Sequence, residues 1–437
     1  MALKEMKISV KESSIVLPAK DTPRTSIWTS NLDLLVPTIH IPTVYFYKPN
    51  GASNFFDSEV LKKALSHVLV PFYPLAGRLR TDKNGRIDIE CNAKGVLFVE
   101  AETGSVIDDF GDFTPSLKMM QLVPTMDGYS SEDISSYPLL AVQVTYFRCG
   151  GVCLGVCLHH TVADGTSAIH FINSWSEITR GNSITLSPFI ERTLLSARIP
   201  PTPTFHHVEY DPPPSMITPI KLNAKPTSTK ILRITPDQLT TLKSKFKKNE
   251  NGMVRHSTYE TLAAHIWRCM CKARGLSNDQ ATKLYIATDG RFRLRPPLPR
   301  GYFGNVLFTA TVKTSSEEVQ SNPLKIVEKI HSALKGMDDE YLRSALDFLQ
   351  MQPDLTALKR GASTFRSPNL NIVSWMKLPI HEADFGWSRP IFMGPASVVF
   401  EGMGYVLPSP RNDGSLRLII CLETDHIQLF QAYFYEL

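Results

Sequence analysis

Eight of the 31 prolines fall between Pro200 and Pro226, in the run PPTPTFHHVEYDPPPSMITPIKLNAKP. Proline lacks an N–H, fixes its own φ and pushes the preceding residue out of the helical region. No helix and no central strand can run through such a stretch. It sits near the middle of a 437-residue chain. Residues 196–230 are therefore expected to form a crossover between two halves, 1–195 and 231–437. A chain of this length allows roughly two to three domains, and the proline run favours two.

Both halves mix strand and helix patterns. Met6 to Val10 alternates like a strand. Asp57 can cap a helix with Val60, Leu61, Ala64, Leu65, Val68 and Leu69 on one face, stopped by Pro71. Ala141 to Leu158 reads as a hairpin about Gly150-Gly151, and Thr166 to Arg180 as a helix ended by Gly181. In the second half, Thr235-Pro236-Asp237-Gln238 and Ser257-Thr258-Tyr259-Glu260 are capping boxes. Lys283–Asp289, Asn305–Lys313, Asn369–Trp375, Ser397–Leu407 and Leu416–Glu423 read as strands. Helices are expected after Asn322-Pro323 and after Asp425. The class is α/β or mixed α+β.

The charge balance of 47 basic and 42 acidic residues gives +5, without the clustered Lys/Arg blocks a nucleic-acid track needs. A small anionic ligand fits better. The 7 cysteines form no Cys-x-x-Cys pair, so zinc and redox motifs are not indicated, and buried free thiols in a reducing compartment are expected. MALKEMKISV lacks the apolar run of a signal peptide, and no segment is apolar enough to span a membrane. A cytoplasmic location is expected.

Three segments could carry chemistry. In LGVCLHHTVADGTSAIHF, a strand ends near Leu158, His159, His160 and Asp164 follow in a short loop, and Gly165-Thr166 opens a helix. Histidine is the natural general base at neutral pH, and a loop after a strand end can project it into a cleft. His-x-x-x-Asp alone also arises by chance, but a histidine that merely packs needs no glycine-bearing loop. Adjacent His159 and His160 point to opposite sides, so no metal is expected there. No Gly-x-Ser-x-Gly elbow or phosphate loop exists. In HEADFGWSRPIFMG, Asp384, Phe385, Gly386 and Trp387 read as a buried turn whose aromatics pack and whose Asp caps amides. In IATDGRFRLRPPLPRGYFGNVLF, Arg291, Arg293, Arg295 and Arg300 suit either anion binding or a salt-bridged loop.

Taken together, these segments resemble the plant BAHD acyl-CoA-dependent acyltransferases. The carriers are His160-Thr161-Val162-Ala163-Asp164-Gly165 mid-chain, Asp384-Phe385-Gly386-Trp387-Ser388 near the C-terminus, and Tyr302-Phe303-Gly304-Asn305. Stretches such as PFYPLAGRL, LYIATDGR and YLRSALDFL look most like the hydroxycinnamoyl-CoA shikimate/quinate branch. The family motif ends in Gly where this chain has Ser388.

The resemblance implies two similar-sized domains of mixed sheet flanked by helices, a chloramphenicol-acetyltransferase-like fold with its active-site channel at the domain interface. It implies that His160 deprotonates an acceptor hydroxyl, that Asp164 holds the loop by pairing with an arginine, Arg291 here, and that the Trp375 indole N–H supports the oxyanion. It implies acceptor contacts from His40, Tyr45 and Arg360, the last on a carboxylate. At Val373 shikimate-using members usually carry Thr, so one acceptor hydrogen bond is lost, which favours quinate or another polyhydroxy or hydroxy acid over shikimate. Asp384, Phe385, Gly386 and Trp387 are implied to be structural.

The implied reaction moves a p-coumaroyl or caffeoyl group from CoA to a hydroxyl of quinate or shikimate, with no metal and no resident cofactor. A monomer is expected. Tartrate, malate or phenyl-lactate-type acids, a polyamine acceptor, and a non-catalytic acyl-CoA-binding paralogue stand as alternatives.

Overall fold

The computed structural model describes residues 6–83, 85–125, 133–217, 225–246 and 256–437. Part of the proline-rich run, 218–224, lies outside the described residues. The chain forms two compact units. One comprises Met1–Ser196, Leu298–Val306 and Leu378–Ser397; the other comprises Ala197–Pro297, Leu307–Lys377 and Val398–Leu437.

The first unit is built on a six-stranded mixed sheet, ordered Ile8–Val16, Val96–Thr103, Leu140–Phe147, Val152–His159, His40–Tyr47 and Phe392–Pro395. Val96–Thr103 and Leu140–Phe147 run parallel; the other neighbours are antiparallel. The hairpin at Gly150 exists, with Gly150 at φ +79°. Its second strand, VCLGVCLH, is buried at every position. Gly155 shows why. A Cβ there would stand 1.9 Å from the Leu122 carbonyl oxygen, so only glycine lets that segment close on the sheet.

Two amphipathic helices pack together in this unit. Asp57 caps Ser58–Val68 through the amides of Glu59 and Val60, and Asp164 caps Gly165–Thr179 through that of Ser167. Trp175 is fully buried and donates its indole N–H to the Leu61 carbonyl at 3.1 Å, tying the second helix to the first. A small three-stranded sheet of Ser26–Ile27, Ile87–Glu90 and Arg78–Thr81 completes the unit.

The second unit also has a six-stranded mixed sheet: Leu307–Ser315, Ala281–Asp289, Leu370–Ser374, Met403–Pro408, Leu416–Glu423 and Thr227–Ile234. Both capping boxes form, at Thr235 and Ser257, and the helix Thr258–Ala273 buries most of its length. The strand expected over Ser397–Leu407 is shorter, Met403–Pro408. Gly402 takes φ +79°, and a Cβ there would stand 2.0 Å from the Phe365 carbonyl oxygen, so the strand cannot extend back through it. Phe392–Pro395 instead pairs with His40–Tyr47 in the first unit's sheet.

All seven cysteines are free thiols; six are buried and Cys149, at the hairpin turn, is exposed. Among the described residues no helix is long and apolar enough to cross a membrane. Because a methyl group at Gly155 meets backbone, Gly155→Ala is expected to cost about 1–3 kcal/mol of stability. A lowered urea midpoint with an unchanged m-value would show it.

Candidate active site

The His160 loop is a strand end converted to a helix start. The Val152–His159 strand is held to Leu139 and Ile39 by the amides of His159 and His160, at 2.8 and 2.9 Å. The Val162 amide then closes a turn on the His159 carbonyl at 3.0 Å. Asp164 follows in extended backbone and caps the next helix: Oδ1 accepts from the Ser167 amide at 3.0 Å. Its Oδ2 accepts from the Val306 amide at 3.0 Å. The Asp of the motif thus caps the helix and also accepts the Val306 amide, which fixes the loop.

Asn305, with Arg192 and Asp33, which the sequence does not single out, holds the loop from outside. Asn305 Nδ2 donates to the His160 carbonyl at 2.8 Å. Arg192, buried to 1%, donates to the Val162 and Thr161 carbonyls at 2.6 and 3.4 Å and pairs with the fully buried Asp33 at 3.0 Å. Asp33 Oδ1 also accepts from the Asn305 amide and side chain, both at 2.9 Å. The only sequence signal for this cluster is the Tyr302-Phe303-Gly304-Asn305 motif. Its Phe303 packs edge-on against Phe72, and its Gly304 amide donates to Ser167 Oγ at 3.1 Å.

His159 and His160 separate as alternation requires. His159 is buried and faces His40 across the sheet, with rings T-shaped at 4.9 Å. His40 Nε2 lies 2.7 Å from the Pro138 carbonyl. His160 is partly exposed. Burial is the main influence on its imidazole and lowers its pKa from the ordinary 6.5; backbone groups of the loop, the Asp164 charge and Asn305 oppose this without overcoming it. The neutral ring, able to accept a proton, dominates at pH 7.

His40 and Tyr45 lie on one strand but five residues apart, so they face opposite sides of it. Tyr45 shares its face with Ile41 and Thr43, and burial pushes its hydroxyl pKa up.

In the second unit, Val373 on the Leu370–Ser374 strand stands opposite Tyr405, and Trp375 follows one residue past that strand's end. The Trp375 ring meets Tyr405 edge-on at 5.2 Å and its amide donates to Val406 at 2.8 Å. Arg360 lies over the rings of Tyr210 and Tyr285, each centroid 5.8 Å away, and donates to Thr309 Oγ1. Arg291 pairs with Asp289 at 3.1 Å, and Arg293 donates to the Leu334 and Met337 carbonyls.

Asp384, Phe385, Gly386 and Trp387 lie in the first unit. Asp384 Oδ1 accepts from the Gly386 amide at 2.8 Å. Phe385 packs on Trp175 and Phe56, and Trp387 on Phe56. Positive φ is required at Gly386, +100°, and not at Ser388, so the serine is accommodated without strain.

The fold has close parallels among solved structures. Vinorine synthase superposes with a TM-score of 0.73 at 23% identity, over 97% of this chain and 96% of that one. TRI101 of F. sporotrichioides, complexed with coenzyme A and T-2, gives 0.72 at 17% identity, over 93% and 97%. The fold is thus the one shared with these two structures. The model of the Transferase family matches residues 6–437. The chain belongs to this family, the BAHD acyl-CoA-dependent acyltransferases. Shikimate O-hydroxycinnamoyltransferase of Nicotiana tabacum is 56% identical over 99% of this chain and 100% of its own length. Rosmarinate synthase of Plectranthus scutellarioides is 46% identical over 99% and 100%. Putrescine hydroxycinnamoyltransferase 1 of Oryza sativa subsp. japonica is 42% identical over 99% and 100%.

A base whose folded pKa is depressed is lost only once the pH falls below its ordinary value. The kcat/KM profile should therefore be flat across neutral pH, with an acid limb centred below 6.5. An acid limb centred above 6.5 would contradict the assignment of His160.

Proposed function

We propose that this enzyme transfers a hydroxycinnamoyl group, p-coumaroyl or caffeoyl, from CoA to a hydroxyl of quinate or shikimate. The observation that carries the reading is a partly exposed, neutral His160 on a loop pinned by buried hydrogen bonds. The hydroxycinnamoyl class is supported by relatives 42–56% identical over the full chain.

His160 takes the hydroxyl proton as the acceptor oxygen attacks the thioester carbonyl. The tetrahedral oxyanion collapses, the C–S bond breaks, and the proton on His160 passes to the departing CoA thiolate. No acyl-enzyme is required, because the thioester is already activated. Trp375 suits the oxyanion donor: among the described residues its indole N–H has no hydrogen-bond partner, while ring and backbone are both fixed. Arg360 is assigned the acceptor carboxylate, where a guanidinium can bind with two parallel hydrogen bonds. Asp164 acts as the loop's cap. Of the two strand residues, His40 is assigned to the acceptor pocket, because Tyr45 is buried on the other face of the strand. Acyl-CoA is a co-substrate, and the enzyme acts as a cytosolic monomer.

The test is an acceptor panel of quinate, shikimate, other hydroxy acids, 5-hydroxyanthranilate and spermidine against p-coumaroyl- and caffeoyl-CoA, with products resolved by mass. An ester of quinate or shikimate is expected. Turnover should fall by roughly two to four orders of magnitude in His160→Ala, and the acceptor KM should rise in Arg360→Ala with acyl-CoA KM unchanged. Amide products alone, or near-normal turnover in a folded His160→Ala protein, would sink the reading.

Val373 refines it. A valine cannot donate to an acceptor hydroxyl, so Val373→Thr should lower the shikimate KM by up to about tenfold. An unchanged shikimate KM would remove residue 373 from acceptor selection.

A further inference from the structure

The proline-rich crossover is bound far more tightly than a connection requires. Its described part lies along the helix Asp339–Gln350 and uses that helix's side chains in place of a sheet ladder. Asp347, fully buried, accepts from the amides of Arg198 and Thr202, each at 2.8 Å, and from Arg198 Nε at 2.7 Å. Ser344 Oγ, also fully buried, accepts from the amides of Thr204 and Phe205 at 2.9 and 3.1 Å.

With both acceptor sites filled, the Ser344 hydroxyl must donate, and it lies 2.9 Å from His207 Nε2. That leaves His207 Nδ1–H to donate to Glu209 Oε1 at 3.1 Å, and Tyr341 donates to the other Glu209 oxygen at 2.5 Å. Ser344, His207 and Glu209 have the connectivity of a hydrolytic triad, but a serine with no exposed surface and both acceptor sites occupied cannot be a nucleophile. From the sheet side, Lys283 Nζ donates to the carbonyls of Val208 and Asp211, at 2.6 and 3.1 Å.

The residue between these anchors is Tyr210. Its ring stacks on Phe348 at 5.3 Å with an interplanar angle of 4°. Its ring also meets Arg360. Two of the groups around that guanidinium, Tyr285 and Thr309, belong to adjacent strands of the sheet. The third, Tyr210, comes from the crossover.

We propose that Tyr210 is a positioning residue: the anchored crossover holds its ring against the Arg360 guanidinium and so orients that cation for the acceptor's carboxylate. This rests on the acceptor-binding role of Arg360 given above. A long arginine stem is flexible, and two aromatic faces with one hydroxyl limit its rotamers while leaving donors for a ligand.

Steady-state kinetics with separate acceptor and acyl-CoA titrations test it. Tyr210→Leu should raise the acceptor KM by about tenfold, the scale of a desolvated cation–π contact, with kcat and acyl-CoA KM little changed. Tyr210→Phe, which keeps the ring face, should rescue the acceptor KM. In an Arg360→Ala background, Tyr210→Leu should add nothing further. A folded Tyr210→Leu protein with wild-type acceptor KM, while Arg360→Ala raises it, overturns the positioning role and leaves the Arg360 reading intact. A wild-type acceptor KM in Arg360→Ala overturns both. A Tyr210→Phe protein as impaired as Tyr210→Leu overturns the ring-face argument. Should Tyr210→Leu not fold, Ser344→Ala decides by loosening the crossover from the helix side: a raised acceptor KM at unchanged kcat supports the proposal, and an unchanged one overturns it.

Discussion

A carboxylate with no exposed surface, Asp33, holds together the parts of the first unit around the His160 loop. It caps its own short helix through Ser30, pairs with Arg192, and accepts from the backbone amide and the side-chain amide of Asn305. Removing a carboxylate and a guanidinium from water costs several kcal/mol per ion, and a pair alone seldom offsets that. Here the offset comes from a network in which both ions serve additional partners: Arg192 reaches two carbonyls of the His160 loop, and Asn305 a third. The network specifies a geometry more than it adds stability. Losing either ion would leave the other buried and uncompensated, so the loop has one arrangement or none.

That constraint explains an unusual path of the chain. Leu298–Val306 and Leu378–Ser397 come from the C-terminal half and are integral to the first unit. The first supplies Asn305 and the Val306 amide that Asp164 accepts. The second supplies an edge strand and the Phe385 and Trp387 rings, which close over Trp175 and Phe56. Trp175 belongs to the helix that Asp164 starts, so the aromatic cluster fixes the far end of the element whose near end carries the motif. The two sequence motifs are thus mechanically linked through one helix, one carrying the proposed base and the other packing its aromatic rings.

Local signals were readable and long-range ones were not. Both capping boxes, the hairpin and the His160 loop rest on short spacings and formed where those spacings put them. The His40–Tyr47 strand shows no alternation in the sequence, because Pro42 interrupts it and its last four residues are buried on both faces. Apolar content over 397–407 suggests a longer strand than forms, because it cannot show a carbonyl pressing on Gly402. Asp33 and Arg192 carried no signal at all: they are 159 positions apart, and nothing local marks a lone charged residue as buried. His40 and Tyr45 show the opposite failure, since the period of a strand already separates them to opposite faces.

The proline-rich run shows how far composition can be taken. In its described part the run holds no α-helix and no ladder, only the 3₁₀ turn Val208–Tyr210, and from composition alone the segment reads as a passive connection. What proline removes, however, is only the possibility of pairing with a neighbouring strand; the carbonyls and the remaining amides still need partners. Fixing such a segment to the surface requires side chains elsewhere to supply those partners, and Asp347, Ser344 and Lys283 do so. A segment satisfied in this way has few alternative conformations, since each proline has already narrowed its φ in the unfolded chain. The composition that excludes regular structure therefore favours rigidity, and a rigid crossover can present an aromatic ring to a cation where a flexible one could not.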